Sequence, residues 1–211
     1  MIDEAAAPSR PRLEARRRAF LDAASAVFLE KGYANATLDD VIARSGGSRQ
    51  TLYSCFGGKQ GLFEAIVEER VDKIFASFTG ERLLAESPDV VLVDVGTHYL
   101  ETVLTPDALG MYRLVVAEGN VMREIAERFW TMGPGRSRTL LADYFAQQHR
   151  RGTLRIDDPE LAAQQFWGML LGTIQLQCLL GVRPAPDRPE IETFVHSAVR
   201  LFLAGSRPMK R

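Results

Sequence analysis

The chain has 211 residues, 46% hydrophobic and 25% charged, an ordinary globular composition long enough for a small domain beside a larger one. A formal net charge of -1 excludes a protein that coats polyanions through its overall charge, so any nucleic-acid surface must come from uneven distribution. The distribution is uneven: residues 10–59 carry nine Lys and Arg against five Asp and Glu, whereas residues 61–211 carry seventeen against twenty.

Residues 1–11 hold two prolines and no periodic apolar positions and read as a basic, mobile arm. No signal-peptide core is present there. Phe20, Ala24, Val27 and Phe28 then follow helical spacing, and Gly32 supplies a closing left-handed position, predicting a first helix from about Leu13 to Lys31. Thr37 and Asp40 form a capping-box pattern before Leu38, Val41 and Ile42, so a short second helix ends near Ser45. Gly46 and Gly47 make a turn, Ser48 is a candidate N-cap, and a third helix carries Arg49 to Ser54 before Phe56-Gly57-Gly58 breaks it.

Two short helices joined by a glycine turn after a supporting helix are the elements of a helix-turn-helix, here placed at 12–58. Phe28, Leu38, Val41, Ile42, Leu52 and Phe56 would be buried, leaving Arg49, Gln50, Tyr53 and Ser54 on the free face of the third helix. Arg suits bidentate contact with guanine and Gln with adenine, while Thr37, Tyr53 and Lys59 lie at or beside helix starts, where their donors can meet phosphates. Arg10, Arg12, Arg16, Arg17 and Arg18 could add minor-groove or backbone contacts. Pattern alone leaves open a solvated three-helix motif whose cations are plain surface charge.

The stretch LEKGYANATLDDVIARSGGSRQTLYSCFGGKQGLFEAI, Leu29 to Ile66, resembles the DNA-binding signature of the tetracycline-repressor (TetR) family. The resemblance lies in Lys-Gly-Tyr, the Thr before helix two, the Ser-x-x-Thr-Leu-Tyr recognition helix and the Phe-Gly-x-Lys-x-x-Leu start of helix four, and it covers Arg12 to about Val71. It implies DNA contacts by Thr37, Ser48, Arg49, Gln50, Thr51, Tyr53, Ser54 and Lys59. Two positions depart from the family pattern. Gly47 stands where an apolar residue such as Val is usual, and Cys55 where an aromatic or His is common.

From Lys59 the positions Leu62, Phe63, Ile66, Val67, Val71, Ile74, Phe75 and Phe78 keep a helical rhythm, predicting a connecting helix at 59–80. Further helices are expected near Pro88 to Leu104, Ala108 to Glu118, Val121 to Met132, Gly135 to Arg151, Pro159 to Leu180 and Pro189 to Leu203, punctuated by Pro106, Gly119, Gly133-Pro134, Gly152 and the Pro184 to Pro189 loop. No strand-period segment competes, so the expected class is all-α: a helix-turn-helix domain followed by a larger helical ligand-binding and dimerisation domain at 81–205, with a tail at 206–211. The segment FWTMGPGRSRTLLADYFAQQHRRGTLRIDDPELAAQQFWGMLLG, Phe129 to Gly172, resembles the C-terminal domain of AefR-like members of the same family.

One short recognition helix reads too few base pairs for a genome, so a homodimer on a palindromic double-stranded operator is expected, with half-sites about 34–36 Å apart or somewhat more. The helix from Pro159 is apolar on nearly all sides and carries Gly168 and Gly172 four apart; with the final helix it resembles the paired helices of this family's dimer interface, implicating Phe166, Gly168, Met169, Gly172, Leu176, Phe194, Ala198 and Phe202. An apolar pocket for an unidentified small effector is expected from Tyr99, Tyr112, Met122, Phe129, Trp130, Phe145 and Phe166, with Gln165 and Gln175 as polar handles.

Other chemistries find little purchase. GGKQG lacks the upstream Gly and the Ser or Thr of a phosphate-binding loop, and His98, His149 and His196 show no metal-ligand spacing, so no catalytic residue, metal or cofactor is expected. Phe166 to Val182 is apolar but interrupted by Gln175 and Gln177, which fits a buried helix rather than a membrane span. Cys55 and Cys178 form no disulfide framework, in keeping with a reducing cytoplasm. The expectation is therefore a ligand-responsive repressor, with thiol-based redox sensing through Cys55 as the alternative.

Overall fold

A computed structural model describes residues 10–76, 85–120 and 122–206. Residues 1–9 of the expected arm, residues 77–80 of the connecting helix with Phe78, Val121, and residues 207–211 of the tail lie outside them. Every regular element among the described residues is helical, as expected. The chain forms two compact units, Met1–Ile66 and Val67–Arg211.

In the first unit α1 spans Arg10–Asn35, so it takes up the last two residues assigned to the arm; its regular course is interrupted at Gly32 (φ 78°), where closure was expected. Helix α2 (Leu38–Ser45) starts on a full capping box: the Thr37 hydroxyl accepts from the Asp40 amide, and the Asp40 carboxylate accepts from the Thr37 amide. Ser48 caps α3 (Arg49–Phe56) by accepting from the Thr51 amide at 3.0 Å. Helix α4 (Lys59–Ile74) begins in this unit. Phe20, Phe28, Leu52, Leu62 and Phe63 are fully buried, each contributing about 1.5–3 kcal/mol over exposure. Val41 is buried too, while Leu38, Ile42 and Phe56 are half-buried. The rings of Phe28, Tyr33 and Phe63 pack mutually, with centroids 5.3–6.3 Å apart.

The second unit contains the end of α4, then α5 (Pro88–Val103), α6 (Pro106–Glu118), α7 (Arg123–Trp130), α8 (Arg136–Arg150), α9 (Pro159–Leu179) and α10 (Arg188–Ser206). Helix α9 lies along α8, and α10 along α5. Gly96 lets α5 approach closely, since a Cβ there would stand 2.9 Å from Val195 Cγ1 and 3.1 Å from Leu170 Cδ1. The Gly133-Pro134 pair predicts a break between two helices. Instead, a π-helical turn, Thr131–Gly135, carries α7 into α8. Proline lacks an N–H and clashes with the carbonyl four residues back, and a widened turn accommodates both defects without ending the helix.

An aromatic cluster fills this unit. Phe145 stacks on Phe202 (5.1 Å), Phe166 meets Phe202 (5.3 Å) and Trp167 (5.4 Å), and Trp167 stacks on Tyr99 (4.1 Å). The Arg113 guanidinium donates to the Cys178 and Leu179 carbonyls at 2.8 and 2.9 Å, closing the end of α9 from α6. Among the described residues, no helix is long and apolar enough to cross a membrane.

Candidate nucleic-acid interface and ligand cavity

The short α2, a tight turn and α3 set the first site. The Gly46 amide donates to the Ile42 carbonyl, closing α2, and the Arg16 guanidinium donates to the Ser45 and Gly46 carbonyls at 3.3 and 2.7 Å, tying the turn to α1. Gly47 has φ 125°, and a Cβ there would lie 3.0 Å from the Phe20 ring. A β-branched residue fits neither the dihedral nor the space, which explains the glycine at a position where Val is usual.

With the turn held, Ser48, Arg49, Gln50, Tyr53 and Ser54 are exposed and Thr51 is half-buried. The Ser48 and Thr51 hydroxyls share a hydrogen bond of 2.8 Å. Arg49 pairs with Asp39 of α2, which keeps its guanidinium on the outer surface between the two helices. Thr37, also exposed, is committed to the capping box. The α1 arginines divide their tasks: Arg17 lies over the Phe56 ring (5.4 Å), Arg18 pairs with Asp22 (2.9 Å), and Arg12 is exposed.

Lys59 has a different setting. Its ammonium donates to the carbonyls of Tyr33 (2.8 Å), Ala34 (3.3 Å) and Ala36 (3.0 Å) and lies 4.6 Å from the Tyr33 ring centroid. Those carbonyls follow Gly32, where α1 departs from helical φ/ψ, and a cation there meets the negative end of the helix dipole.

The second site is a cavity of about 200 Å³ in the second unit, walled by α4, α5, α6, α7, the π-helical turn, α8 and α9. Tyr99, Tyr112, Phe129, Trp130 and Gln175, all expected in a pocket, line it. The other expected lining residues lie elsewhere: Phe145 and Phe166 are in the aromatic core, Met122 is half-buried at the start of α7, and Gln165 is exposed on α9. Burial raises the Tyr99 phenol above its ordinary pKa, so it remains a neutral donor. Arg70, Met111, Pro134 and Ser137, which are not among the expected pocket residues, also face the cavity. Arg70 carried a legible signal: it lies three residues after Val67 and four before Ile74, on an otherwise apolar stripe.

Arg70 is half-buried, and burial lowers its pKa against the attraction of Asp107 and Glu69. Beside the cavity, Arg136 of α8 pairs with Asp72 of α4 at 2.9 Å. A larger, open groove of about 790 Å³ between α5 and α10 is lined by Asp89, Asp94, His98, Arg188, Glu192 and His196 among others. Its charged walls suit an apolar effector poorly compared with the aromatic cavity.

The expected dimer residues divide. Phe166, Ala198 and Phe202 are buried within the protomer, whereas Gly168, Met169, Gly172, Leu176 and Phe194 are exposed. The exposed set continues through Leu161 on α9, Leu180 just past its end, and Leu201 on α10. Added side chains at Gly168 or Gly172 would meet nothing within 4 Å of the same protomer.

Comparison with known proteins follows the same division. Residues 20–66 match the model for bacterial regulatory proteins of the tetR family, and residues 90–205 match that for the AefR-like transcriptional repressor C-terminal domain. The chain is 27% identical over 124 residues to the regulator SrpR of Pseudomonas putida, an alignment covering 55% of this chain and 56% of SrpR. It therefore spans little more than half of that curated relative. It is 25% identical over 187 residues to the uncharacterised regulator YvkB of Bacillus subtilis, covering 88% of this chain and 94% of YvkB. Among solved structures, a putative TetR-family regulator from Mesorhizobium loti superposes with a TM-score of 0.77 at 25% identity, over 95% of this chain and 100% of the other. The flavonoid-responsive regulator FrrA gives 0.71 at 25%, over 92% and 98%.

Proposed function

The chain belongs to the TetR family of bacterial transcriptional regulators, a non-enzymatic family, with an AefR-like C-terminal domain, and from that premise we propose that it is a homodimeric repressor released from a palindromic operator by a small apolar or amphipathic molecule. The observation that carries the DNA-binding half is the exposed row Ser48, Arg49, Gln50, Tyr53 and Ser54 on a helix fixed by its N-cap and by Arg16. Arg49 and Gln50 read base edges. Thr37, Ser48, Thr51, Tyr53 and Ser54 position the backbone. Lys59 supports this face by holding the end of α1.

The release half is supported by the cavity and by α4. Val67, Arg70, Val71 and Ile74 form one wall of the cavity, and the same helix starts at Lys59. A ligand that favours one position of α4 over another by about 1–3 kcal/mol suffices as a switch. FrrA, a regulator that responds to flavonoids, is a relative in which small-molecule control accompanies this fold.

Selection of bound sites from random DNA tests the proposal, followed by fluorescence anisotropy on the selected duplex across a salt series. We expect a palindromic site and a negative slope of log K against log salt. Binding without sequence selection, or by a monomer, would reject it.

A further inference from the structure

Among the described residues, Arg70 is the one charged side chain on the wall of the ligand cavity. The remaining lining residues are apolar or aromatic, apart from Ser137, Gln175 and the phenols of Tyr99 and Tyr112. Among the described residues Arg70 has no ion-pair or hydrogen-bond partner; of the two carboxylates that attract it through space, Glu69 is paired with Lys73 at 2.9 Å and Asp107 is exposed. A guanidinium that gives up water without gaining a bonded anion is destabilised, and an anion delivered to it relieves that cost.

We propose that the effector is a small organic monoanion, a single-ring or short-chain carboxylate, whose carboxylate pairs with Arg70 while its apolar body lies among Met111, Phe129 and Trp130. The inference rests on reading this cavity as the sensor pocket. A planar carboxylate matches the fork of a guanidinium bidentately, and Tyr112, Ser137 and Gln175 offer further donors. Size points the same way: a cavity of roughly 150 Å³ is known to hold one benzene ring, so about 200 Å³ admits a ring with a short acidic arm, or a chain of comparable bulk. Among the described residues no Asp or Glu lines the cavity, a lining that favours an anion over a cation. The anion also engages α4 itself. A neutral molecule of equal shape would fill the space without gripping the helix that carries Arg70.

The test uses full-length protein, with phenylacetate as the acid probe and phenylacetamide as its neutral counterpart. Binding is measured by calorimetry and by tryptophan fluorescence on wild type, Arg70→Met and Arg70→Lys. Expected for wild type is a preference for the acid of about tenfold or more, the scale of a hydrogen bond to a charged group. Arg70→Met should lose that preference while binding the amide within about twofold of wild type, which also shows that the variant is folded and its cavity intact; Arg70→Lys should keep part of it. Equal binding of acid and amide by wild type, or an unchanged acid preference in Arg70→Met, overturns the anion assignment and leaves the sensor reading standing. If neither probe binds wild type or alters its tryptophan emission, the anion assignment and the sensor reading of this cavity fall together.

Discussion

Gly47 illustrates how a single residue can look anomalous in sequence and necessary in structure. Its positive φ and the 3.0 Å approach to Phe20 predict that Gly47→Ala destabilises the protein by about 1–3 kcal/mol in urea unfolding; an unchanged midpoint would show that the turn relaxes freely. Asp40 adds a pH signature. Hydrogen bonds from Lys31 and Thr37 hold its carboxyl at about 2 instead of 3.8, so its contribution is fully present above the unfolded value and is lost as pH falls through the folded one. The stability gap between wild type and Asp40→Asn should therefore stay flat from neutrality down to about pH 5 and close between about pH 4 and 2. Arg49 is the base-reading assignment most open to attack. Arg49→Ala should cost about 1–3 kcal/mol on the operator and relax preference at one base pair, whereas equal losses on operator and random DNA would make it only a phosphate contact.

At the scale of elements, the features that sequence rendered faithfully were those enforced locally. The Thr37–Asp40 box, the Ser48 cap and the Gly32 interruption depend on neighbours a few residues away, and they stand where spacing placed them. Gly133-Pro134 was misread because proline ordinarily ends a helix, and only packing decides when a π-helical turn absorbs it. Phe166 falls in the core and not on an outer face, a distinction that a helix apolar on nearly every side hides from periodicity, since its ring partner Phe202 lies far along the chain. Arg70 escaped notice because charges on long helices usually meet water. Lys59 is informative for the same reason. As a phosphate contact, its removal should lower the salt slope by about 0.9. As a clamp on three carbonyls, Lys59→Ala should instead cost about 1–3 kcal/mol of stability through orphaned acceptors. We expect the second result, with the salt slope unchanged when folded protein is titrated below its melting temperature.

For the molecule as a whole, repression requires two recognition helices held at a fixed separation, about 34–36 Å for adjacent turns of one groove, and a monomer supplies one. Helix α9 and its C-cap carry the exposed apolar residues Leu161, Met169, Leu176 and Leu180 on either side of Gly172, where the backbone departs from helical φ/ψ, and Phe194 and Leu201 extend the exposed apolar surface on α10. Water-exposed apolar side chains in such a set are costly unless a partner covers them. In a two-fold dimer each position occurs twice, so a single substitution places two like charges in the interface. Leu176 is a diagnostic site because it is 55% exposed in the protomer, so replacing it leaves the protomer core untouched. Leu176→Glu should give a folded protein by circular dichroism, a monomer by light scattering, and operator affinity reduced to the level of random DNA. The variant should still bind ligand in the cavity, whose lining includes Leu171 and Gln175 but not Leu176. A Leu176→Glu protein that remains dimeric and keeps its operator affinity would move the interface to another surface, and the exposed apolar residues of α9 would then need a different occupant.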